Sequence, residues 1–390
     1  MTINLLSITT YTGIGGGESL QLNLMRALDK SKFVPYLLTP RSGTFPDAAA
    51  QLGVHTHVMP YRGTTTVFVP QIWEHFPIVG KLRQFLRAQS IQAVLTDYHS
   101  LPFIVPAARS LQIPVIWNAM GWWFPMYSWQ HDFFTNQITK IIAITSAVKE
   151  RLLGYPPKML PDNMEVLIPG VDTDRHTPDI DGSNVREKIG IDATTPLVAM
   201  IARFQNVKGH EYFLEMARLV LEKIPNARFA IAGENVFSVT KDETYKQTIL
   251  DMAKNDPLLR DRVTFLGFWE DSREVIAAAD VMVCSSWFES LSMVALESMA
   301  MARPIVSTRV GGPSETIIDG VTGYLVPPRD SSAIAERVLL LLNNPQLRDK
   351  LGSQGREHVV EHFSAARYAA AISEIVTGLV QPRRKYIISS

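Results

Sequence analysis

The chain has 390 residues, 46% of them hydrophobic, and 38 basic side chains balance 38 acidic ones. This length is sufficient for two domains of ordinary size, and the zero net charge gives no global electrostatic case for nucleic-acid binding. Because Cys284 is the only cysteine, the chain has no internal disulfide framework and no cysteine metal cluster, which favours a reducing compartment.

The first residues run directly into an apolar segment, without the basic stretch that begins a signal peptide. No apolar run reaches the ~18–20 residues that a membrane-spanning helix needs. We therefore expect a cytoplasmic protein. Peripheral contact at the cytoplasmic face of a membrane is the alternative that stays open.

Short apolar runs that predict β-strands alternate with amphipathic windows that predict helices. This alternation predicts an α/β protein with two doubly wound parallel sheets, in which ligands bind beyond the C-terminal strand ends near a switch in strand order. The predicted strands are Ile3–Thr9, Val34–Leu38, His55–Met59, Ala93–Thr96, Val115–Asn118, Ile141–Ile144, Met164–Ile168, Leu197–Ala202, Arg228–Ala232, Val263–Leu266, Val281–Cys284, Ile305–Thr308 and Tyr324–Val326. The helices predicted between the first-half strands are Glu18–Leu28, Trp73–Gln89, Phe103–Ser110 and Ser146–Leu153.

The first predicted strand is followed by a glycine-rich loop that contains Gly13, Gly15, Gly16 and Gly17. Such a loop lets the backbone approach an anion closely, and a tight strand-to-helix turn is the alternative interpretation. No Gly-Lys-Ser/Thr follows, so the loop is not a P-loop. No acidic residue ends the second strand, which disfavours a nicotinamide cofactor.

Two further segments of the first half follow predicted strands. His99 is a candidate for binding an acceptor or accepting a proton, and a surface histidine is equally consistent with its position. The stretch 117–129 is rich in large rings, among them Trp122 and Trp123. These rings are suited to stacking on a sugar, lining an acceptor groove or contacting lipid, and burial under neighbouring helices is the alternative.

A break in periodicity over residues 169–182, rich in proline, glycine and aspartate, predicts an interdomain linker. It separates a first domain, residues 1–170, from a second, residues 171–362. The pairs Asp172/Asp174 and Asp179/Asp181 resemble metal ligands, but they lie in this linker, away from the strand ends. We therefore expect no metal site and no cofactor.

Arg203 and Lys208 flank the loop after the strand Leu197–Ala202. A planar guanidinium and a point-charge ammonium at one strand end suit the two phosphates of a diphosphate. Two solvated loop cations are the alternative interpretation.

Glu289 and Glu297 lie in the segment after the strand Val281–Cys284, Glu289 in the loop and Glu297 inside the helix that should follow. The start of that helix offers unpaired N–H groups, and the two carboxylates are able to accept hydrogen bonds from hydroxyls on opposite halves of one ligand. This arrangement predicts a cradle for a nucleotide sugar. Farther on, Gly311 and Gly312 permit close backbone approach.

In this order, the Gly15-Gly16 loop, Arg203 with Lys208-Gly209, Glu289-x7-Glu297 and Gly311-Gly312 resemble the retaining glycosyltransferases of family 4. The resemblance spans nearly the whole chain and is most specific in the second half. It implies the GT-B fold, in which two Rossmann-like domains face across a cleft. It also implies that the first domain binds the acceptor and the second the donor, with residues 363–390 crossing back to the first.

The resemblance assigns roles to individual residues. Arg203 and Lys208 would contact the donor diphosphate, Glu289 the transferred sugar and Glu297 the ribose. The remaining implied donor contacts are backbone N–H groups of Leu291, Ser292, Met293 and Val294, the loop around Gly267 at the base, and Gly15 and Gly16 at the distal phosphate.

The chain departs from the family pattern at three places. Ala302-Arg303-Pro304 replaces a common Gly-x-Pro, and Ser290-Leu291-Ser292-Met293 replaces a glycine-aromatic-glycine stretch. Met120 stands where family members often have a histidine that contacts the acceptor or the reacting sugar. His99 or Asn118 are the candidate substitutes, and Trp122 and Trp123 are further acceptor candidates.

The implied function is metal-independent transfer of a hexose from a nucleoside-diphosphate sugar to an acceptor hydroxyl, with retained anomeric configuration. UDP is the favoured nucleotide and GDP the second. The expected acceptor is a glycan, a lipid-linked molecule or a small molecule. A GT-B-fold nucleotide-sugar epimerase and a catalytically idle nucleotide-sugar-binding module are the alternatives.

Overall fold

A computed structural model describes residues 2–63, 72–121, 136–154, 163–235 and 240–381. The chain divides into two compact units. The first comprises Met1–Pro169 together with Ala365–Ser390, and the second comprises Gly170–Ser364. The second unit is therefore inserted into the sequence of the first.

Each unit is built on one parallel β-sheet. The strands of the first sheet are β1 (Ile3–Ile8), β2 (Phe33–Thr39), β3 (His55–Val58), β4 (Ala93–Thr96), β5 (Val115–Ala119), β6 (Lys140–Ala143) and β7 (Met164–Val166). The strands of the second sheet are β8 (Leu197–Ile201), β9 (Arg228–Ala232), β10 (Val263–Gly267), β11 (Val281–Cys284), β12 (Ile305–Thr308) and β13 (Tyr324–Val326). Each overlaps a strand predicted from the sequence. Central strands such as β8 and β11 are apolar along their whole length, as expected of strands that are covered on both faces.

The helices of the first unit are α1 (Gly16–Ala27), α2 (Thr44–Gln51), α3 (Ile72–Ala88), α4 (Leu101–Arg109), α5 (Ser146–Leu153) and α14 (Ala365–Val380). Those of the second unit are α6 (Ser183–Ile189), α7 (His210–Leu221), α8 (Thr240–Asn255), α9 (Ser272–Ala278), α10 (Met293–Ala300), α11 (Pro313–Thr316), α12 (Ser331–Leu342) and α13 (Pro345–His362). Among the described helices, none is long and apolar enough to cross a bilayer.

The order of the strands places a switch point in each sheet. The first sheet runs β3-β2-β1-β4-β5-β6-β7 and the second β10-β9-β8-β11-β12-β13. Strand order therefore reverses between β1 and β4 and again between β8 and β11. Loops that leave adjacent strands at such a point diverge and open a crevice at the carboxyl edge of the sheet. The predicted α/β class with two doubly wound parallel sheets is confirmed.

Helix α2 is absent from the sequence-based prediction. Its segment begins after Gly43 and carries Pro46, which together indicate a turn. The proline lies in the first turn of the helix, where a backbone N–H has no intrahelical partner in any case. A proline is therefore tolerated at this position, whereas it would disrupt the interior of a helix.

Candidate active site

The main candidate site lies at the switch point of the second sheet. Lys208 is in the loop after β8, and Glu289 is in the loop after the neighbouring strand β11. The Nζ atom of Lys208 lies 2.6 Å from Oε2 of Glu289, to which the hydroxyl of Ser286 also donates at 3.3 Å. The two side chains are 21% and 11% exposed. The pair is thus largely buried but still accessible to solvent. Such a pair is suited to a polar, charged ligand.

Backbone and side-chain contacts hold these two loops together. Lys208 ends a short 3₁₀ turn, Asn206–Lys208, and Gly209 follows it with a φ of +66°. A Cβ atom on Gly209 would lie 2.3 Å from the carbonyl oxygen of Ser285, so only glycine fits there. The hydroxyl of Ser285 donates to the carbonyl of Gly209 at 2.8 Å, and the indole of Trp287 donates to that of Asn206 at the same distance. These contacts fix the position of Lys208 relative to Glu289.

The glycine pair after β12 supports the same loop from its other side. A Cβ atom on Gly311 would lie 1.8 Å from the carbonyl oxygen of Glu289, and one on Gly312 would lie 2.3 Å from Cα of Leu291. The backbone N–H of Gly312 donates to the carbonyl of Ser290 at 3.1 Å. The backbone of Gly311 and Gly312 therefore makes the predicted close approach, and it makes it to the segment that carries Glu289.

The start of α10 follows directly. Ser292 caps this helix with a φ of +66°, and its hydroxyl accepts a hydrogen bond from the N–H of Ala295. A left-handed conformation costs a non-glycine residue about 1–2 kcal/mol, which a serine cap of about 1 kcal/mol partly offsets. Leu291 and Met293 are buried, and Val294 is partly exposed. The first-turn N–H groups at Met293 and Val294 have no partner within the helix, as at any helix start.

Glu297 lies one turn farther along α10 and is 9% exposed. Burial raises the pKa of Glu297 above its ordinary value of 4.5, and the nearby His176 opposes this shift. His176 belongs to the segment after Gly170, and its Nδ1 lies 2.9 Å from the carbonyl of Asp172. No pattern in the sequence singles out His176, because its proximity to Glu297 joins residues that lie 121 positions apart in the chain.

Glu297→Gln should change how the stability of the unligated protein depends on pH. Below pH 4.5 the carboxyl group is protonated in both the folded and the unfolded state, so it contributes no pH dependence there. Because the folded-state pKa is raised, the free energy of unfolding should fall as pH rises from 4.5 through that pKa. The variant should lose this decline and be more stable than wild type at neutral pH.

Denaturant titrations of both proteins between pH 4.5 and 8 measure the effect. The exposed Glu222→Gln is the matched control and should keep the wild-type slope. If the free energy of unfolding varies with pH in the same way in wild type and Glu297→Gln, burial of the Glu297 carboxylate does not destabilise the folded state.

Two other predicted donor residues lie at strand ends along the carboxyl edge of this sheet. Arg203 is two residues beyond β8 and is partly exposed. Gly267 ends β10 with a φ of +67°, and a Cβ there would lie more than 4 Å from every described residue beyond its neighbours in the chain. Its carbonyl accepts the N–H of Gly233 at 2.8 Å. Strand β10 is separated from β8 by β9, so Gly267 lies along the same carboxyl edge as Lys208 but not beside it.

The predicted glycine loop lies at the start of α1 in the first unit. Gly15 precedes the helix, and its N–H donates to the carboxylate of Glu18 at 3.0 Å. A Cβ atom on Gly16 would meet no described atom within 4 Å, whereas one on Gly17 would lie 3.0 Å from the sulfur of Met120. Met120 therefore packs beside the glycine loop. The proposed phosphate contact of Gly15 and Gly16 stays a prediction.

The acceptor candidates divide into three cases. His99 is partly exposed, and its Nε2 lies 3.1 Å from the hydroxyl of Tyr11. Asn118 is 5% exposed and its Nδ2 donates to the hydroxyl of Tyr368 on α14 at 3.2 Å, while its buried Oδ1 has no hydrogen-bond partner among the described residues. Trp122 and Trp123 lie outside the described residues, as does most of the aromatic stretch. The structure thus leaves His99 more accessible than Asn118.

Asp172 and Asp181 of the predicted linker accept hydrogen bonds in local turns. The Oδ1 atom of Asp172 accepts the N–H groups of Asp174 and Arg175, both at 3.2 Å. Asp181 accepts both the N–H and the hydroxyl of Ser183. Within the described ranges, no three histidine, cysteine or acidic side chains lie close enough together to hold a metal ion. Metal independence stays a prediction.

Comparison with known proteins assigns both units to one family. The model of glycosyl transferases group 1 matches residues 181–358, and the model of glycosyltransferase family 4 matches residues 14–175. The alpha-maltose-1-phosphate synthase of Mycolicibacterium smegmatis is 30% identical over 294 residues, which are 71% of this chain and 73% of that enzyme. The D-inositol 3-phosphate glycosyltransferase of Corynebacterium efficiens is 30% identical over 221 residues, 55% of this chain and 51% of the relative.

A solved structure shares the fold. Anabaena HepE in complex with UDP and glucose superimposes with a TM-score of 0.81 at 18% identity, covering 96% of this chain and 99% of HepE. At this identity the likeness concerns the fold, which is the GT-B class of two parallel-sheet domains. With both family models matched and two-thirds or more of one relative covered at 30% identity, this chain belongs to the group 1 glycosyltransferases of family 4.

Proposed function

We propose that the protein transfers a hexose from a nucleoside-diphosphate sugar to an acceptor hydroxyl with retained anomeric configuration and without a metal ion. The observation that carries this proposal is the Lys208–Glu289 pair, joined at 2.6 Å across the switch point of the second sheet and followed by the start of α10. A cation, a carboxylate and a helix N-terminus at one sheet edge match the phosphates and the hydroxyls of such a donor. UDP is the favoured nucleotide, which the UDP-bound HepE supports, and GDP is the second.

The proposed donor contacts follow the chemistry of each group. Lys208, with Arg203 from the same loop, binds the diphosphate. Glu289 accepts hydrogen bonds from hydroxyls of the transferred sugar, and N–H groups between Leu291 and Val294 assist it. Glu297 accepts hydrogen bonds from the hydroxyls of the ribose. These bonds would replace the hydrogen bonds to water that the carboxylate loses on burial. The loop at Gly267 borders the base, and Gly15 and Gly16 approach the distal phosphate.

The proposed reaction breaks the bond between the anomeric carbon and the diphosphate oxygen, and it forms a bond from the same carbon to the acceptor oxygen on the same face. The acceptor proton passes to an oxygen of the departing phosphate, so no dedicated protein base is needed. Charge builds up on the leaving diphosphate in the transition state. Stabilising that charge is the largest catalytic contribution that Lys208 and Arg203 are able to make.

A thermal-shift panel of UDP-, GDP- and ADP-sugars tests the donor assignment. A specific donor at a hundredfold excess over its dissociation constant should raise stability by ~2.7 kcal/mol. Wild type and Lys208→Met are compared, because the shift should be lost in the variant if the ligand occupies the proposed site. Absence of any shift across the panel would contradict the proposal.

Product analysis of the panel's best donor separates the alternatives. A transferase should release the nucleoside diphosphate slowly when only the donor is present, and faster when an acceptor is added. An epimerase would convert the donor to a second nucleotide sugar with no acceptor present. An idle binding module would leave the donor unchanged with time. The proposed acceptor is a glycan, a lipid-linked molecule or a small molecule, and we propose a cytoplasmic location with optional contact at the membrane face.

A further inference from the structure

The first unit contains an open hollow of about 440 Å³ at the carboxyl edge of its sheet. Loops that leave the neighbouring strands β1, β2 and β3 form its wall. The lining residues are Thr10, Pro40, Arg41, Pro60, Tyr61, Arg62 and Gly63. Two of these seven residues are arginines, both exposed, in a protein whose net charge is zero.

Arg41 is held in place by its neighbours. Its carbonyl accepts the hydroxyl of Thr39 at 2.9 Å, and its Nε donates to the hydroxyl of Thr12 at 3.2 Å. The loop of Thr12 is itself fixed, because a Cβ on Gly43 would lie 2.4 Å from the carbonyl oxygen of Thr12. These contacts orient the guanidinium, and no described residue hydrogen-bonds its two terminal nitrogens, the Nη atoms.

The positive charge in the hollow is not neutralised by the described part of the chain. Arg186 and Arg273 each pair with an aspartate, whereas neither Arg41 nor Arg62 forms an ion pair with a described carboxylate. The buried carboxylate of Asp97, directly after β4, already accepts several hydrogen bonds. Its oxygens accept the hydroxyl of Thr9 and the backbone N–H groups of Thr10 and Ser100, at 2.8, 3.0 and 2.8 Å respectively.

The hollow adjoins His99, the accessible acceptor candidate. A Cβ on Gly63 would lie 2.7 Å from Cγ2 of Thr10 and 3.2 Å from Cβ of His99, so Gly63 packs between these two residues. Tyr61 donates to or accepts from the hydroxyl of Ser100 at 3.1 Å, and burial raises the pKa of this phenol. Tyr61 therefore stays neutral and adds no negative charge to the wall.

We propose that this hollow binds an oxyanion group of the acceptor, a phosphate or a carboxylate, with Arg41 and Arg62 as its cationic ligands. This inference rests on the proposed transfer function and narrows its acceptor to an anionic class. Two guanidinium forks favour a group with several acceptor oxygens and a negative charge, which a neutral sugar does not offer. The neighbouring His99 would then face the part of the acceptor next to the anion.

Calorimetric titration of the whole protein tests the proposal with four probes: inorganic phosphate, glucose 1-phosphate, glucuronate and glucose. At least one anionic sugar should bind wild type ten times or more as tightly as glucose, and its affinity should fall as salt is raised. Arg41→Gln and Arg62→Gln should each weaken that binding at least tenfold. Arg83→Gln, which removes a guanidinium bonded to Ser110 in the same unit, should not change it.

Donor binding is measured in the same variants, so that the two proposals fail separately. UDP-glucose should bind Arg41→Gln and Arg62→Gln as it binds wild type. Failure of the wild-type protein to bind UDP-glucose would contradict the proposed function. The titrations with anionic probes would still test the anion site independently. Equal affinity for glucose and the anionic probes, or wild-type affinity for them in both arginine variants, would overturn the anion site.

Discussion

Lys208→Met and Glu289→Gln should each lower transfer by about 10²–10³-fold or more, with little change in thermal stability. Loss of one preorganised charge that stabilises the transition state typically has an effect of this size. The methionine keeps the length of the Lys208 stem and removes the ammonium that lies 2.6 Å from Glu289. The glutamine keeps the shape of Glu289 and removes its charge. Steady-state rates with the donor identified by the panel, together with melting temperatures, provide the measurement.

Lys246→Met provides the matched control. Lys246 also forms an ion pair with a glutamate, Glu234, in the same unit, and it is 24% exposed, against 21% for Lys208. If the general loss of a sheltered ion pair were responsible for the effect, both lysine variants would behave alike. Wild-type turnover in Lys208→Met and Glu289→Gln would refute the assignment of this pair to the donor.

Gly311→Ala should damage both stability and transfer, although the residue carries no functional group. The new Cβ would lie 1.8 Å from the carbonyl oxygen of Glu289, so the backbone that carries this carboxylate must move. The left-handed conformation adds about 1–2 kcal/mol, and overpacking typically adds about 1–3 kcal/mol. For a unit of this size each kcal/mol lowers the melting temperature by about 2–4 °C. Calorimetry and transfer rates at a temperature below the transition measure the two effects.

Gly320→Ala separates collision from backbone strain. Gly320 has a φ of +74°, but a Cβ there would meet no atom of the described chain within 4 Å. This control should therefore show the strain contribution alone and keep full transfer activity. Equal destabilisation in both variants, with equal activity, would mean that the contact between Gly311 and the Glu289 loop has no bearing on the site.

Much of each sheet was predictable because central strands such as β4 and β11 are buried along their whole length. A run such as Val281–Cys284 is apolar at every position, and such runs alternate with helical windows along the chain. Strand order was not predictable in this way, since pairing between β8 and β11 joins segments about 80 residues apart. The sequence therefore predicted the class of sheet, and the structure located its switch point.

The candidate site was predictable in parts. Lys208 and Glu289 were each singled out as residues that follow a strand, but their pairing depends on the adjacency of β8 and β11. His176 escaped prediction because its approach to Glu297 joins an irregular segment to a helix more than a hundred residues away. Asn118 was selected by position alone, and the pattern of one strand could not indicate that Tyr368 of α14 would cover it.

The inserted arrangement of the second unit has a consequence for biosynthesis. Val171 pairs with Ser364, so the chain enters and leaves this unit at one point. The second unit is contiguous in sequence and is complete once residue 364 has emerged from the ribosome. The first unit needs α14, whose Tyr368 bonds to Asn118, and so it must wait until the inserted unit has been synthesised. During translation, the half of the protein that is made first is therefore the last to acquire its full set of contacts.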